Sequence, residues 1–385
     1  MTISSTFNIN SPVGIYIHIP FCIQLCHYCD FNKILRKSFK TGDLSRYQKA
    51  LLKEMNCFFS MNGFKKISSI YFGGGTPSLY PYLYIEEIIN SLKSYAELEE
   101  NVEITMEVDP KTIRRRTLSF LKNIGVSRIS IGAQSFQDDV LEILGRYHRN
   151  RDILECYSDS REAGFNNVSL DLMYGVPGQT VDNWNNDLTH VLQLNPEHVS
   201  LYNLTVSRGT EFYKKRNKLK FPGEKEQIQF YDMTIKALKK INIYCYEISN
   251  FSKKGFESKH NLDCWNLKPY IGLGAGASSF FNNKRLSNVK NIDKYMLHIE
   301  ARNNAFGKVI KLNESERKKE FIILKLRKKE GFSRIEYQNY FGSLIESDFP
   351  VLFGEDNKKL INTGNRIKLT SKGLNLSNEI FQQIF

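Results

Sequence analysis

Short apolar runs rich in β-branched and aromatic residues alternate with longer stretches whose apolar positions recur every three or four residues. The runs Gly14–Ile19, Ser68–Phe72, Val102–Glu107, Arg128–Ile131, Val168–Leu172 and Val199–Leu204 read as strands. Between and after them, Leu44–Phe59, Tyr84–Tyr95, Arg115–Lys122, Asp138–Leu144, Ile153–Ala163 and Val181–Leu192 read as amphipathic helices. Strand–helix units repeated in this order imply parallel strands joined by right-handed crossovers. The predicted class is α/β, a partial (β/α)6 barrel that is an open relative of the eight-stranded TIM barrel. In such folds the loops after the C-terminal strand ends converge on one face, so a functional site is expected there.

The pattern changes near Phe280. Residues 281–311 are polar and basic with one helical patch, Ile292–Glu300, and read as a connecting segment. A helix follows from Ser315 through Leu326, and a second covers Arg334–Phe341. The turn Asn362-Thr363-Gly364-Asn365 separates two short strand-like runs, Lys359–Ile361 and Arg366–Thr370, as in a hairpin. A last helix starts at Ser371. Helix, helix and hairpin predict a small C-terminal α/β domain, winged-helix-like. The expected division is 1–280, 281–311 and 312–385.

Composition narrows the function classes. The 385 residues contain no apolar run of bilayer-spanning length. The opening MTISSTFNINSPVG lacks the basic start and apolar core of a secretory signal, so a cytoplasmic location is expected. The formal net charge of +13 comes from scattered short clusters such as Arg114-Arg115-Arg116 and Arg327-Lys328-Lys329. These read as solvated faces, and no nucleic-acid partner is expected. Peripheral membrane contact stays open.

Seven cysteines occur, an odd number that argues against a disulfide framework. Three of them, Cys22, Cys26 and Cys29, fall within eight residues after the first strand. Thiolates at this spacing can hold an iron–sulfur cubane and leave its fourth iron open. The alternatives are zinc or structural thiols; zinc usually takes a second ligand pair, which is missing here. After the second strand comes Gly73-Gly74-Gly75-Thr76-Pro77, a loop whose backbone can approach a ligand closely. Polar residues recur at or just beyond later strand ends: Glu107, Gln134, Arg146 and Asp171. Singly each reads as a cap or a surface group; together they suggest one converging ring.

A further stretch, His260-Asn261-Leu262-Asp263-Cys264-Trp265, precedes a glycine-rich run to Ser279. His260 is a candidate metal or haem ligand and Trp265 a candidate stacking partner. The chemistry of the segment alone favours core packing with a hydrogen-bonded histidine. The glycines suit a strand that packs tightly or bulges.

Five motifs carry a resemblance over nearly the whole chain from Val13: Ile19-Pro20-Phe21-Cys22-x3-Cys26-x-Tyr28-Cys29-Asp30-Phe31, Gly73-Gly74-Gly75-Thr76-Pro77, Glu107-x-Asp109-Pro110, Gly175-x-Pro177-Gly178-Gln179-Thr180 and His260-Asn261-x2-Cys264-Trp265. The chain resembles the radical S-adenosylmethionine (SAM) family that contains oxygen-independent coproporphyrinogen III dehydrogenase and a haem chaperone branch. The resemblance implies a 4Fe-4S cluster on Cys22, Cys26 and Cys29. It implies SAM contacts at Tyr16, Gly74, Gly75, Thr76, Glu107, Gln134, Arg146 and Asp171. The dehydrogenase carries a fourth cysteine two residues beyond the third and a longer N-terminal segment. Here Asp30-Phe31 follows Cys29, which points to the chaperone branch. That branch implies haem as ligand, an unidentified haem-accepting protein, a possible homodimer, and haem contacts at His260, Asn261, Cys264 and Trp265. Cys264 stands where the branch has tyrosine, as a further iron ligand or a neutral apolar replacement.

Overall fold

The structure, a computed structural model, describes residues 11–39 and 41–384. The stretch before Ser11, on which the expectation about a leader rests, lies outside the described residues.

Six parallel strands form in the predicted order: β1 (Val13–Ile19), β2 (Lys66–Gly74), β3 (Glu97–Val108), β4 (Arg128–Gln134), β5 (Val168–Tyr174) and β6 (His198–Asn203). Helices α1 (Thr41–Asn62), α2 (Tyr82–Tyr95), α3 (Arg115–Asn123), α4 (Asp138–Ile143), α5 (Asn150–Glu162) and α6 (Val181–Leu194) make the crossovers. The alternation along each strand explains the arrangement. Ile15, Ile17, Ile70, Phe72, Ile104, Met106, Ile129, Ile131, Leu170 and Leu172 belong to the main apolar core. The intervening positions, among them Tyr16, His18, Ser69, Tyr71, Thr105, Glu107, Ser130 and Asp171, are polar. They turn to the sheet's other face, because successive side chains of a strand point to opposite faces.

Beyond β6, the strands β7 (Tyr244–Glu247) and β8 (Asn250–Ser252) extend the sheet antiparallel, after helix α7 (Glu224–Lys239). Helix α8 (Lys259–Trp265) follows, and then β9 (Tyr270–Leu273) returns to pair parallel with β1. A seventh parallel strand therefore flanks the six predicted ones. The strands β10 (Ser278–Phe281), β11 (Lys284–Asn288) and β12 (Phe306–Lys311) continue antiparallel from β9, with α9 (Ile292–Arg302) between the last two. The twelve-stranded sheet runs β12-β11-β10-β9-β1-β2-β3-β4-β5-β6-β8-β7 and stays open. Residues 281–311, expected as a connecting segment, thus carry two strands and a helix of the main sheet. Their polar composition is that of an edge with one face in water. The glycine-rich turn from β9 to β10 is a close approach: a Cβ on Gly272 would lie 2.2 Å from the Ser278 carbonyl oxygen.

The C-terminal part builds its own core from Phe321, Ile322, Leu326, Phe332, Tyr337, Ile345, Ile367 and Ile380. Helices α10 (Glu314–Arg327) and α11 (Arg334–Phe341) pack with a three-stranded sheet, β13 (Phe332–Ser333), β14 (Ile361–Thr363) and β15 (Arg366–Leu369), ordered β13-β15-β14. The predicted hairpin is β14–β15. This unit docks beside α8 and β7: Arg327 lies 3.6 Å from the fully buried Glu247, and Lys325 and Lys328 both donate to Asn266.

Candidate functional site

A cavity of about 500 Å³ opens at the C-terminal ends of β2 to β6. Cys22, Cys26, Cys29, Gly74, Gly75, Thr76, Glu107, Gln134, Arg146 and Asp171 all border it. Tyr16 does not. It sits one inward pleat deeper than His18, its ring stacked on Tyr71 with centroids 6.1 Å apart.

The cysteine loop is tied down from several sides. The two-residue pairing of Phe21–Cys22 with Ile34–Leu35 closes it at its base. His18 Nε2 donates to the Asn32 carbonyl at 2.7 Å, and Tyr16 Oη donates to His18 Nδ1 at 3.1 Å. Burial lowers the His18 pKa, which fits the neutral ring that this pattern requires. Asn32 Nδ2 reaches the carbonyls of Ala275 and Lys290 at 2.8 and 3.0 Å. On the other flank, the His27 backbone N–H donates to Leu144 O and its Nδ1 to Ile143 O. Thr76 Oγ1 donates to Cys22 Sγ at 3.5 Å and Arg146 Nη1 to Cys26 Sγ at 3.3 Å. Burial pushes the Cys22 thiol up to about 11 and also raises that of Cys29, against the pull of Lys33. Metal binding requires the thiolate form, so burial here works against the free sulfurs and a bound metal's charge would offset it.

Opposite the loop, burial pushes the Glu107 carboxyl up to about 7, although the Tyr71 hydroxyl (2.8 Å) and the Gly74 N–H (3.2 Å) stabilise its charge. Burial likewise raises Asp171, against hydrogen bonds from serines that include Ser130. Gly74 has φ +119°, and a Cβ there would meet the His18 ring at 2.6 Å, so the loop tolerates no side chain. Gln134 takes the left-handed conformation, φ 65°, at the end of β4. The buried Asp187 of α6 holds that turn by accepting from Ser135 Oγ, the Phe136 N–H and Gln137 Nε2.

The donor chemistry fits a three-point cluster beside a small zwitterion. Cys22, Cys26 and Cys29 border one cavity with Glu107, Asp109, Asp171, Arg146 and the Gly74–Gly75 backbone. Zinc usually takes four Cys or His ligands, and among the described residues the cavity lining holds, beside Cys22, Cys26 and Cys29, carboxyls and an arginine but no histidine or fourth cysteine. A cubane instead presents three separate irons to three thiolates.

Comparison with known proteins places the chain in a family. A family model for the radical SAM superfamily matches residues 16–191. "Heme chaperone HemW" of Bacillus subtilis is 35% identical over 95% of this chain and 97% of its own length. Its namesake from Lactococcus lactis is 33% identical over 97% and 98%. The chain belongs to the HemW family of radical SAM proteins. The coproporphyrinogen III oxidase HemN from Escherichia coli superposes with a TM-score of 0.86 over 98% of this chain and 91% of that one. At 23% identity it shares the fold.

In this HemW-family chain, His260, Asn261, Cys264 and Trp265 lie on α8, away from the cavity. His260 is buried, its Nδ1 2.9 Å from Ser69 Oγ and its ring 5.2 Å from that of Tyr71. Burial pushes it down to about 4, so it is neutral. The packing alternative describes its surroundings. Burial pushes the Cys264 thiol up to about 12, which opposes a ready thiolate ligand. Trp265 stacks against the Arg327 guanidinium, 4.3 Å from the ring centroid.

Two positions had no role in the sequence reading. Asp109 binds Arg146; its signal was its place two residues after Glu107, just past the end of β3. Asp187 sits in mid-helix and carries no sequence signal.

Proposed function

We propose that the chain is a haem chaperone, which binds haem and delivers it to an acceptor protein. It would carry a 4Fe-4S cluster on Cys22, Cys26 and Cys29, with SAM against Gly74, Gly75, Thr76, Glu107, Gln134, Arg146 and Asp171. The carrying observation is the convergence of three thiols and this polar ring on one cavity, in a chain that matches proteins named heme chaperones over at least 95% of its length. When bound, the cluster with SAM supplies one-electron chemistry at the sulfonium C–S bond. The protein's part is placement. Glu107, fixed by Tyr71, and the open Gly74 backbone receive the amino end of the ligand. Asp171, positioned by Ser130, suits ribose hydroxyls. Of the residues expected to touch haem, the half-buried Asn261, Cys264 and Trp265 remain candidates; His260 is engaged with Ser69 in the core. A cytoplasmic setting and a homodimer belong to the same proposal.

The test is anaerobic reconstitution, with iron and sulfide analysis and a haem titration of the same sample. Iron with acid-labile sulfur, and haem binding without turnover of coproporphyrinogen III, are expected. Protoporphyrinogen formation would overturn the chaperone reading. Alanine at Cys22, Cys26 and Cys29 is expected to abolish the brown chromophore, and its survival would overturn the cluster assignment.

A further inference from the structure

Arg146, placed above against SAM, also belongs to a charge arrangement in the cavity wall that reaches the cysteine loop. The Arg146 guanidinium is nearly enclosed, with 11% of its side chain exposed, and the Asp109 carboxylate beside it is 7% exposed. Their contact is 2.5 Å. Burial alone would raise the Asp109 pKa, yet Arg146 and His148 hold it down to about 2. Arg146 Nη2 also donates to the Gly132 carbonyl at 3.2 Å. With Nη2 occupied on that side, Nη1 is aimed at Cys26 Sγ, 3.3 Å away. A carboxylate thus fixes the orientation of a cation whose other end touches a sulfur expected to bind iron.

Hydrogen bonds to the sulfurs and net charge set the potentials of iron–sulfur clusters. The reduced cluster carries one more negative charge than the oxidised one. A buried cation at van der Waals contact with a ligand sulfur stabilises that form more than the oxidised form, and low solvent access keeps the effect unscreened. Asp109 opposes it, from the far side of the guanidinium.

We propose that Arg146, oriented by Asp109, donates an N–H···S hydrogen bond to Cys26 in the loaded protein and raises the reduction potential of its cluster. Arg146 acts directly on the ligand sulfur, and Asp109 is a positioning residue that also trims the charge. The proposal rests on the cluster assignment above, and the two fail separately. A wild-type protein that takes up no iron and sulfide sinks the assignment. A loaded cluster indifferent to Arg146 sinks only this inference.

The experiment is a redox titration of the reconstituted cluster without SAM, followed by electron paramagnetic resonance. Arg146→Gln, which removes charge and fork, is expected to titrate at a more negative potential than wild type. Asp109→Asn, close in shape and still able to accept from Nη2, leaves the guanidinium charge unopposed and is expected to titrate more positively. A merely structural pair would lower cluster content in both variants without opposite shifts. Wild-type potentials in both loaded variants, or shifts of the same sign, would overturn the proposal. If Arg146→Gln holds no cluster, Asp109→Asn decides alone. A reading free of substitution comes from wild-type protein grown on isotopically labelled arginine. Its reduced cluster is expected to couple to a guanidinium nitrogen in pulsed resonance spectra, and the lack of that coupling would overturn the hydrogen bond.

Discussion

Glu107 is a carboxyl whose neighbours stabilise its charge while its burial opposes it, and burial wins. Its folded value of about 7 lies above the ordinary 4.5. The folded state therefore keeps a proton that the unfolded chain has lost. Its contribution is fully present below about 4.5 and is lost as pH rises to about 7. Between pH 5 and pH 8 Glu107 is expected to contribute a fall in the melting temperature of the ligand-free protein, and Glu107→Gln should flatten that part of the slope in calorimetry. The same substitution removes a charge-assisted partner for the ligand's amino group. At about 1.5–3 kcal/mol for such a hydrogen bond, SAM affinity should fall roughly ten- to hundredfold by titration calorimetry of the loaded protein.

At the scale of elements, α8 and α6 each hold the site from behind. Ser258 caps α8, and Asp263 accepts from Ser68 Oγ at 2.9 Å, so the helix lies against β1 and β2 with His260 beneath Tyr16 and Tyr71. The sign for His260 is opposite to that of Glu107. Its folded value of about 4 lies below 6.5, so its neutral form contributes stability that is lost as pH falls from about 6.5 to 4. The window corresponds to at most about 3 kcal/mol. His260→Gln is expected to reduce the acid sensitivity of unfolding in denaturant titrations. In α6, Asp187→Ala would strand the buried donors of Ser135 and Phe136. It is expected to lower stability by about 2–4 kcal/mol and to weaken SAM binding through the Gln134 turn. The sequence showed α6 by its periodicity, with Trp184, Leu188 and Val191 on the buried face. It could not show that Asp187 turns to the same side, because a polar residue on an apolar helix face reads as noise until its partners are known. The six parallel strands were legible because apolar residues alternate with polar ones along them. Among the strands of the β9–β12 extension, only one in the glycine-rich run was legible. Its short strands are glycine-rich or polar, and their pairing depends on residues distant in sequence. The cavity's thiols and glycines were legible from spacing, whereas the depth of Tyr16 depends on the pleat and the enclosure of His260 on how α8 packs.

Over the whole molecule, two apolar cores meet across α8, β7 and α10, with Cys245, Ile248 and Leu267 packed against the C-terminal one. Arg327 links the two units twice, to the buried Glu247 and to the Trp265 ring. Arg327→Ala would leave a carboxylate enclosed without its cation. It is expected to cost about 2–3 kcal/mol, somewhat below a fully buried pair because Arg327 is partly exposed. Tryptophan fluorescence should shift as Trp265 loses its partner, and limited proteolysis should cut more readily near residue 312.

The anchoring of the cysteine loop by Asn32 has a consequence for biosynthesis. Its two acceptors, Ala275 and Lys290, follow it by 243 and 258 residues. While a ribosome is still translating the middle of the message, the loop lacks these restraints and β1 lacks its β9 neighbour. Three closely spaced sulfhydryls are then available to any oxidant or stray metal. Cofactor delivery that waits for the later segment would meet a finished cradle. A nascent chain stalled before Ala275 should therefore be alkylated at Cys22 and Cys29 faster than the released protein.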